Sequence, residues 1–154
     1  MDFASYVSGF VDGEGCFSVS FNLREKLRTG IGVRPSFAIA QNKRNLAVIK
    51  KLHTYFGCGA IRFSKNDQCY KYEVRDLKEL RERIVPHFKQ FPLLTSKQCD
   101  FEVFEEICDR VAQSKHRNPK HLREIISLAY AMNGSGKRKY AQAELLRILD
   151  KMKI

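Results

Sequence analysis

The stretch Val7-Ser8-Gly9-Phe10-Val11-Asp12-Gly13-Glu14-Gly15 decides how the rest of the chain reads. It forms a short helix whose end delivers one carboxylate, Glu14, just before a strand begins at Cys16. Its glycines and acids make a poor isolated helix, because each interior Gly costs about 1 kcal/mol relative to Ala. A sequence that accepts this cost needs close backbone approach. Gly9 and Gly13 lie four residues apart on one helical face, and Ser5 extends the same small-residue stripe. A second backbone can come very near such a stripe. If that backbone belongs to a second copy of the chain, a twofold axis runs beside the helix and two Glu14 carboxylates meet. Crowded carboxylates repel unless a cation lies between them, so the pattern predicts a divalent metal at Glu14. The Gly15 carbonyl is a second candidate ligand, since hard cations take oxygen donors.

A length of 154 residues with 44% hydrophobic and 11% aromatic content suits one globular domain with its own core. We expect a single domain over 1–154, with a core at about 4–112 and a basic helical part at about 118–151. Lys and Arg number 28 against 17 Asp and Glu, a formal charge of +11, which favours a polyanionic partner. No apolar run approaches the roughly 18 residues of a membrane span. Met1-Asp2-Phe3-Ala4-Ser5 has neither a secretory nor an Arg-rich import pattern. The expected setting is therefore intracellular, with no membrane partner. The cysteines at 16, 58, 69, 99 and 108 form no C-x-x-C pair and read as reduced thiols. His53, His87, His116 and His121 do not complete a zinc site with them.

Beyond the first helix, Cys16 to Arg24 alternates cleanly: Phe17, Val19 and Phe21 point one way, and Ser18, Ser20, Asn22 and Arg24 the other. After a charged turn from Glu25 to Gly32, Val33 to Gln41 is the second strand, with Phe37 and Ile39 inward and Arg34, Ser36 and Ala38 outward. A helix follows on Leu46, Ile49, Leu52, His53 and Phe56, ended by Gly57 and Gly59. Ala60–Lys65 and Gln68–Arg75 form a hairpin around Asn66-Asp67. Ile61, Phe63, Tyr70, Tyr72 and Val74 face inward, and Arg62, Ser64, Lys71, Glu73 and Arg75 face outward. Asp76 caps a helix from Leu77 to Val85. A long helix runs from Ser96 to about Ala112, another from Asn118-Pro119 through Met132, and a last one from Tyr140 to Lys151. The fold class is α+β, with an antiparallel four-stranded sheet covered by helices on one face. Arg, Lys, Asn and Ser at alternate outward positions suit hydrogen bonds to base edges and phosphates. Lys137, Arg138 and Lys139, in a Gly-flanked loop, are further candidate phosphate contacts.

The opening motif closely resembles that of the LAGLIDADG homing endonucleases, with Glu14 at the second acid. Pro92-Leu93-Leu94-Thr95-Ser96-Lys97 is similar to the family's basic segment before its long helix. Lys120-His121-Leu122, Met132-Asn133 and Gly136-Lys137-Arg138-Lys139-Tyr140 resemble the late region of intron-encoded members. The resemblance implies the αββαββα fold with its sheet as a DNA saddle. It implies a homodimer that makes a double-strand break in a long, near-palindromic DNA target, as in the homing of a group I intron. Mg²⁺ is then the working cofactor, with Mn²⁺ or Ca²⁺ able to replace it for binding, and no small-molecule cofactor is expected beyond the metal. By the same resemblance Gln41 positions solvent near the metal and Lys97 stabilises charge on the phosphate. Ser5, Ser8, Gly9, Asp12 and Gly13 line the dimer interface, and Asp12 hydrogen-bonds backbone amides or the partner helix. An organellar or bacterial host is implied. Two other readings share the fold: an RNA maturase for the host intron and a sequence-specific DNA-binding repressor. No Ser-His-Asp or Cys-His set stands out, so covalent catalysis is not expected.

Overall fold

The computed structural model describes residues 1–132 and 138–152. Helix α1 (Phe3–Glu14) starts at Asp2, whose side chain accepts from the Ala4 amide, and buries Val7 and Val11 one turn apart. It passes directly into β1 (Gly15–Leu23). A side chain at Gly15 would put its Cβ 2.6 Å from Val11 Cγ1, so only glycine fits this corner. Then follow β2 (Ile31–Asn42), α2 (Leu46–Phe56), β3 (Ala60–Ser64) and β4 (Cys69–Val74). The strands form one antiparallel sheet in the order β1-β2-β4-β3.

The inner sheet face is aromatic. Phe17, opposite Phe37, has its ring centroid 5.1 Å from that of Phe37, 5.3 Å from Phe88, 5.4 Å from Phe101 and 5.2 Å from Phe104. These edge-on and tilted contacts are the arrangements aromatic rings favour. Phe88 lies on α4 (Val85–Gln90), and Phe101 and Phe104 lie on α5 (Lys97–Ala112), so these helices cover the sheet. Helices α6 (Pro119–Tyr130) and α7 (Gln142–Asp150) add Leu122, Ile125, Ile126 and Leu145 to the same buried cluster.

One expected helix end and one expected hairpin turn shift for physical reasons. Asp76 does cap a helix, accepting from Glu79 N at 2.9 Å. The helical run does not stop at Val85, however. It passes from α3 (Leu77–Glu79) through a π-helical turn at Leu80–Ile84 into α4, across Pro86. Proline lacks the amide for an ordinary helical bond, and the wider turn just before it removes the conflict. The second hairpin also turns more broadly than Asn66-Asp67, with Gln68 at φ 56 and Asp67 Oδ1 accepting from Cys69 N.

Candidate active site and nucleic-acid interface

Glu14 is the last residue of α1 and is exposed. Among the described residues nothing hydrogen-bonds or pairs with its carboxylate. The backbone around it is tightly held. Lys97 Nζ donates to the carbonyls of Val11 (2.8 Å), Asp12 (3.0 Å) and Gly15 (2.6 Å). The Val11 carbonyl also accepts from the Gly15 amide, and an ammonium at a helix C-terminus complements the negative end of the helix dipole. Asp12 completes the clasp from the other side. Its Oδ2 accepts from Leu94 N at 2.7 Å, and its Oδ1 from Thr95 N at 3.2 Å and Thr95 Oγ1 at 2.6 Å. Burial pushes the Asp12 carboxyl up, but the Thr95 hydroxyl, the Leu94 and Thr95 amides and Lys97 together hold it below its ordinary value.

Gln41 lies at the same end of the sheet. Gly15 pairs with Ile39, and Gln41 follows two residues on, opposite Tyr70. Its Oε1 accepts from Asn45 Nδ2 at 3.1 Å. Glu14, Gln41 and Lys97 thus gather where α1 meets the sheet. The Gly15 carbonyl already faces a cation, the Lys97 ammonium. Among the described residues no three His, Cys, Asp or Glu side chains cluster to hold a metal.

The exposed side of α1 carries Ser5, Gly9 and Gly13. A Cβ added at Gly9 or Gly13 meets nothing within 4 Å, so this chain's own packing does not require glycine at either position. Leu94, tied to Asp12, is 94% exposed. Ser8 does not share the stripe, because one step along a helix turns about 100°. It is only 5% exposed, its Oγ donates to Phe91 O at 2.6 Å, and it lies 3.0 Å from His87 Nε2. His87 Nδ1 lies 2.8 Å from Tyr55 Oη. The Ser8 proton goes to Phe91, so Nε2 carries the imidazole proton and Nδ1 accepts from Tyr55. Burial pushes the His87 pKa down to about 4, which keeps the ring neutral. Asp12 likewise turns its carboxylate toward Leu94 and Thr95 of its own chain. The relay from Tyr55 through His87 to Ser8 left no signal in the sequence, since its members lie far apart in the chain.

Strand register places most of the expected contact residues on one outer face. Ser18 pairs with Ser36 and Ser20 with Arg34 across β1 and β2, and Asn22 continues β1's outward alternation. Ala38 lies opposite Glu73, Arg62 opposite Lys71 and Ser64 opposite Cys69. The Ser18 and Ser36 hydroxyls are 2.7 Å apart. Arg24 lies just past β1, in the turn whose backbone closes from Arg24 N to Gly30 O. Arg75 follows β4 directly. Glu73 departs from the expectation. Its side chain is 8% exposed and is engaged by Lys71 and Arg75, so it organises cations instead of reaching outward.

The late basic segment divides. Lys137 lies outside the described residues. Arg138 is not a free cation: Nη1 donates to Val19 O at 2.8 Å, Nη2 donates to Ala129 O, and the guanidinium stacks over Tyr130. It braces β1 against α6. Lys139 is exposed, 5.4 Å from the Tyr140 ring centroid.

The profile of the LAGLIDADG endonuclease family matches residues 7–108. Homing endonuclease I-ApeII of Aeropyrum pernix is 31% identical over 150 residues, 94% of this chain and 88% of that protein. Probable intron-encoded endonuclease 2 of Neurospora crassa is 28% identical over 130 residues, 84% of this chain, and this chain spans only 29% of its length. Among solved structures, the archaeal intron-encoded homing endonuclease I-Vdi141I complexed with DNA is similar at a TM-score of 0.89 and 27% identity, over 97% of this chain and 96% of that one. The I-LtrWI LAGLIDADG homing endonuclease bound to target DNA is similar at 0.84 and 26% identity, over 88% of this chain and 46% of that one.

Proposed function

This chain belongs to the LAGLIDADG endonuclease family, and on that premise we propose that it is a site-specific DNA endonuclease acting as a homodimer. The observation that carries the reading is the junction of α1 with the sheet. A free Glu14 carboxylate stands at the end of a helix whose exposed glycines have no role inside their own chain. Two copies packed along that stripe bring two Glu14 residues to one place, between two basic sheet faces. A twofold protein then matches a near-palindromic target and reaches both strands. The exposed Leu94, beside α1, adds an apolar contact to the same interface.

The donor set fits a divalent cation. Glu14 and the Gly15 carbonyl offer only oxygens, which Mg²⁺ prefers, and the Gly15 carbonyl is already turned to a positive charge. Glu14 and the Gly15 carbonyl would hold such an ion, and the chemistry it would supply is polarisation of the phosphodiester and a lower pKa for bound water. The chain's own residues do the rest. Glu14 supplies the charge that retains the cation. Gln41, at the end of β2, has amide donors and an acceptor with which to orient solvent. Lys97 fixes the carbonyl cage on which the position of Glu14 depends, and its charge favours a phosphate nearby. Ser18, Ser20, Asn22, Arg24, Arg34, Ser36, Ala38, Arg62, Ser64, Lys71, Arg75 and Lys139 are the proposed DNA contacts.

No helix among the described residues is long and apolar enough to cross a membrane. An intracellular setting, where target DNA is present, follows from the proposed activity. The test is cleavage of supercoiled plasmids carrying a randomised target library, with Mg²⁺ or Ca²⁺. Wild type is expected to linearise a recurrent site with Mg²⁺ only. Glu14→Gln is expected to bind the same site and leave it uncut. Selective binding without cleavage under any metal would support the repressor, and selective binding to intron RNA alone the maturase.

A further inference from the structure

The outer sheet face carries one acid among its outward strand positions, Glu73, and an acid there opposes DNA binding unless it serves something else. Its side chain is 8% exposed. Its row neighbours are Ala38 on β2 and Ala60 on β3, whose small side chains leave room for the carboxylate to settle down. Its Oε1 lies 3.0 Å from Arg75 Nε and its Oε2 lies 3.4 Å from Lys71 Nζ. The two cations flank it at positions two residues before and two after along β4.

This geometry leaves a specific part of Arg75 unused. Arg75 Nε is the nitrogen nearest the Glu73 carboxylate, in an ion pair, while the side chain stays 52% exposed and the two terminal nitrogens have no partner among the described residues. That terminal edge presents two parallel N–H groups, the fork that matches guanine O6 and N7 in a major groove. By strand alternation Arg75 continues the row of Ser36 and Ser18, on the same face. Arg34 and Arg62 differ: among the described residues their guanidinium groups make no ion pair or hydrogen bond. A loose cation suits phosphates, which accept charge from many directions. A guanidinium already paired with a buried carboxylate loses less freedom on binding and tolerates fewer acceptors.

We propose that Glu73 is a positioning residue that presents Arg75 to a guanine, so that each half-site carries a guanine at one fixed position. The inference rests on the reading of the sheet as the DNA face of an endonuclease. Its test is selection from a randomised target library, with binding measured in Ca²⁺ so that cleavage does not intervene. Wild type, Arg75→Lys, Arg75→Ala and Glu73→Gln are compared position by position. Wild type is expected to select a guanine at one symmetric pair of positions. Arg75→Lys keeps the charge and loses the fork, so guanine preference there falls about tenfold or more while other positions hold. Glu73→Gln relaxes the same pair without a general loss of affinity. If Arg75→Ala and Arg75→Lys leave every position's preference intact, Arg75 contacts a phosphate and the inference fails. It also fails if Glu73→Gln leaves the guanine preference unchanged. A wild type that selects no recurrent site overturns the endonuclease reading itself, and this inference with it.

Discussion

Acid should weaken this protein through His87 before its carboxylates are affected. His87 is 7% exposed, and its ring is wedged between Ser8 on α1 and Tyr55 on α2. Its pKa falls from 6.5 to about 4 because burial disfavours the charged form, with only a small opposing pull from Asp2. The unfolded chain therefore takes up this proton near pH 6.5, and the folded chain does so only near 4. The stability tied to neutral His87 is complete above pH 6.5, is withdrawn between 6.5 and 4, and changes no further below that. At about 1.4 kcal/mol per pKa unit the loss is about 3 kcal/mol, a large share of a typical 5–15 kcal/mol (roughly). Protonation also forces Nδ1 to become a donor against the Tyr55 hydroxyl. His116 is pushed the same way by burial and Arg117, while Asp2, Asp12 and Glu124 are held low and act at more acidic pH. A His87→Gln comparison removes these shared terms, since a Gln amide donates to Ser8 and accepts from Tyr55 without titrating. Urea unfolding followed by circular dichroism at fixed protein concentration, from pH 7.5 to 4, gives the difference between the two proteins. The gap in stability should close or reverse by about 3 kcal/mol over that range. A constant difference would show that His87 titrates normally and that the relay is not closed as described.

Four further outcomes follow from the same geometry. Gly9→Ala removes an interior glycine where a Cβ meets nothing within 4 Å. The isolated chain should gain up to about 1 kcal/mol, while sedimentation equilibrium shows weaker self-association. Lys97→Met strips three carbonyls at the end of α1 of their shared donor. It should cost about 2–3 kcal/mol in denaturant melts and speed hydrogen exchange at the start of β1. Arg138→Ala removes a brace between β1 and α6 and should lower the melting temperature with little change in the salt dependence of DNA binding. Lys139→Ala should do the reverse, leaving the melt unchanged and reducing the salt slope by about one per chain.

Much of the fold is legible in the sequence because two periods carry it. Alternation through Phe17, Val19 and Phe21, and again through Tyr70, Tyr72 and Val74, sorts each strand into a wet and a dry face, and the register keeps them aligned. Period alone does not say what a side chain meets. Lys97 and Arg138 both read as cations for phosphate, yet their partners lie 82 to 86 and 119 residues away along the chain for the bonds to α1–Gly15 and to Val19. No local pattern encodes a contact over such distances. The resemblance puts Ser8 at the dimer interface, and only its contact with His87 shows that it belongs to the interior. The helix expected to end at Val85 runs on across Pro86, because the π-helical turn before the proline removes the conflict.

The glycines of α1 reason in the other direction. Mid-helix glycine breaks a local rule, at about 1 kcal/mol each, and natural sequences keep such conflicts where something compensates. Gly15, which opens β1 just beyond the helix, has its reason within the chain, since Val11 fills the space a side chain would need. Gly9 and Gly13 have none there, since the space beside them is open. The same helix ends in a carboxylate with no partner among the described residues and a neighbouring carbonyl turned to a cation. Unexplained small residues and an unmatched acid on one exposed helix have a common remedy: a second α1 across a twofold axis, which uses the open space and supplies the second Glu14.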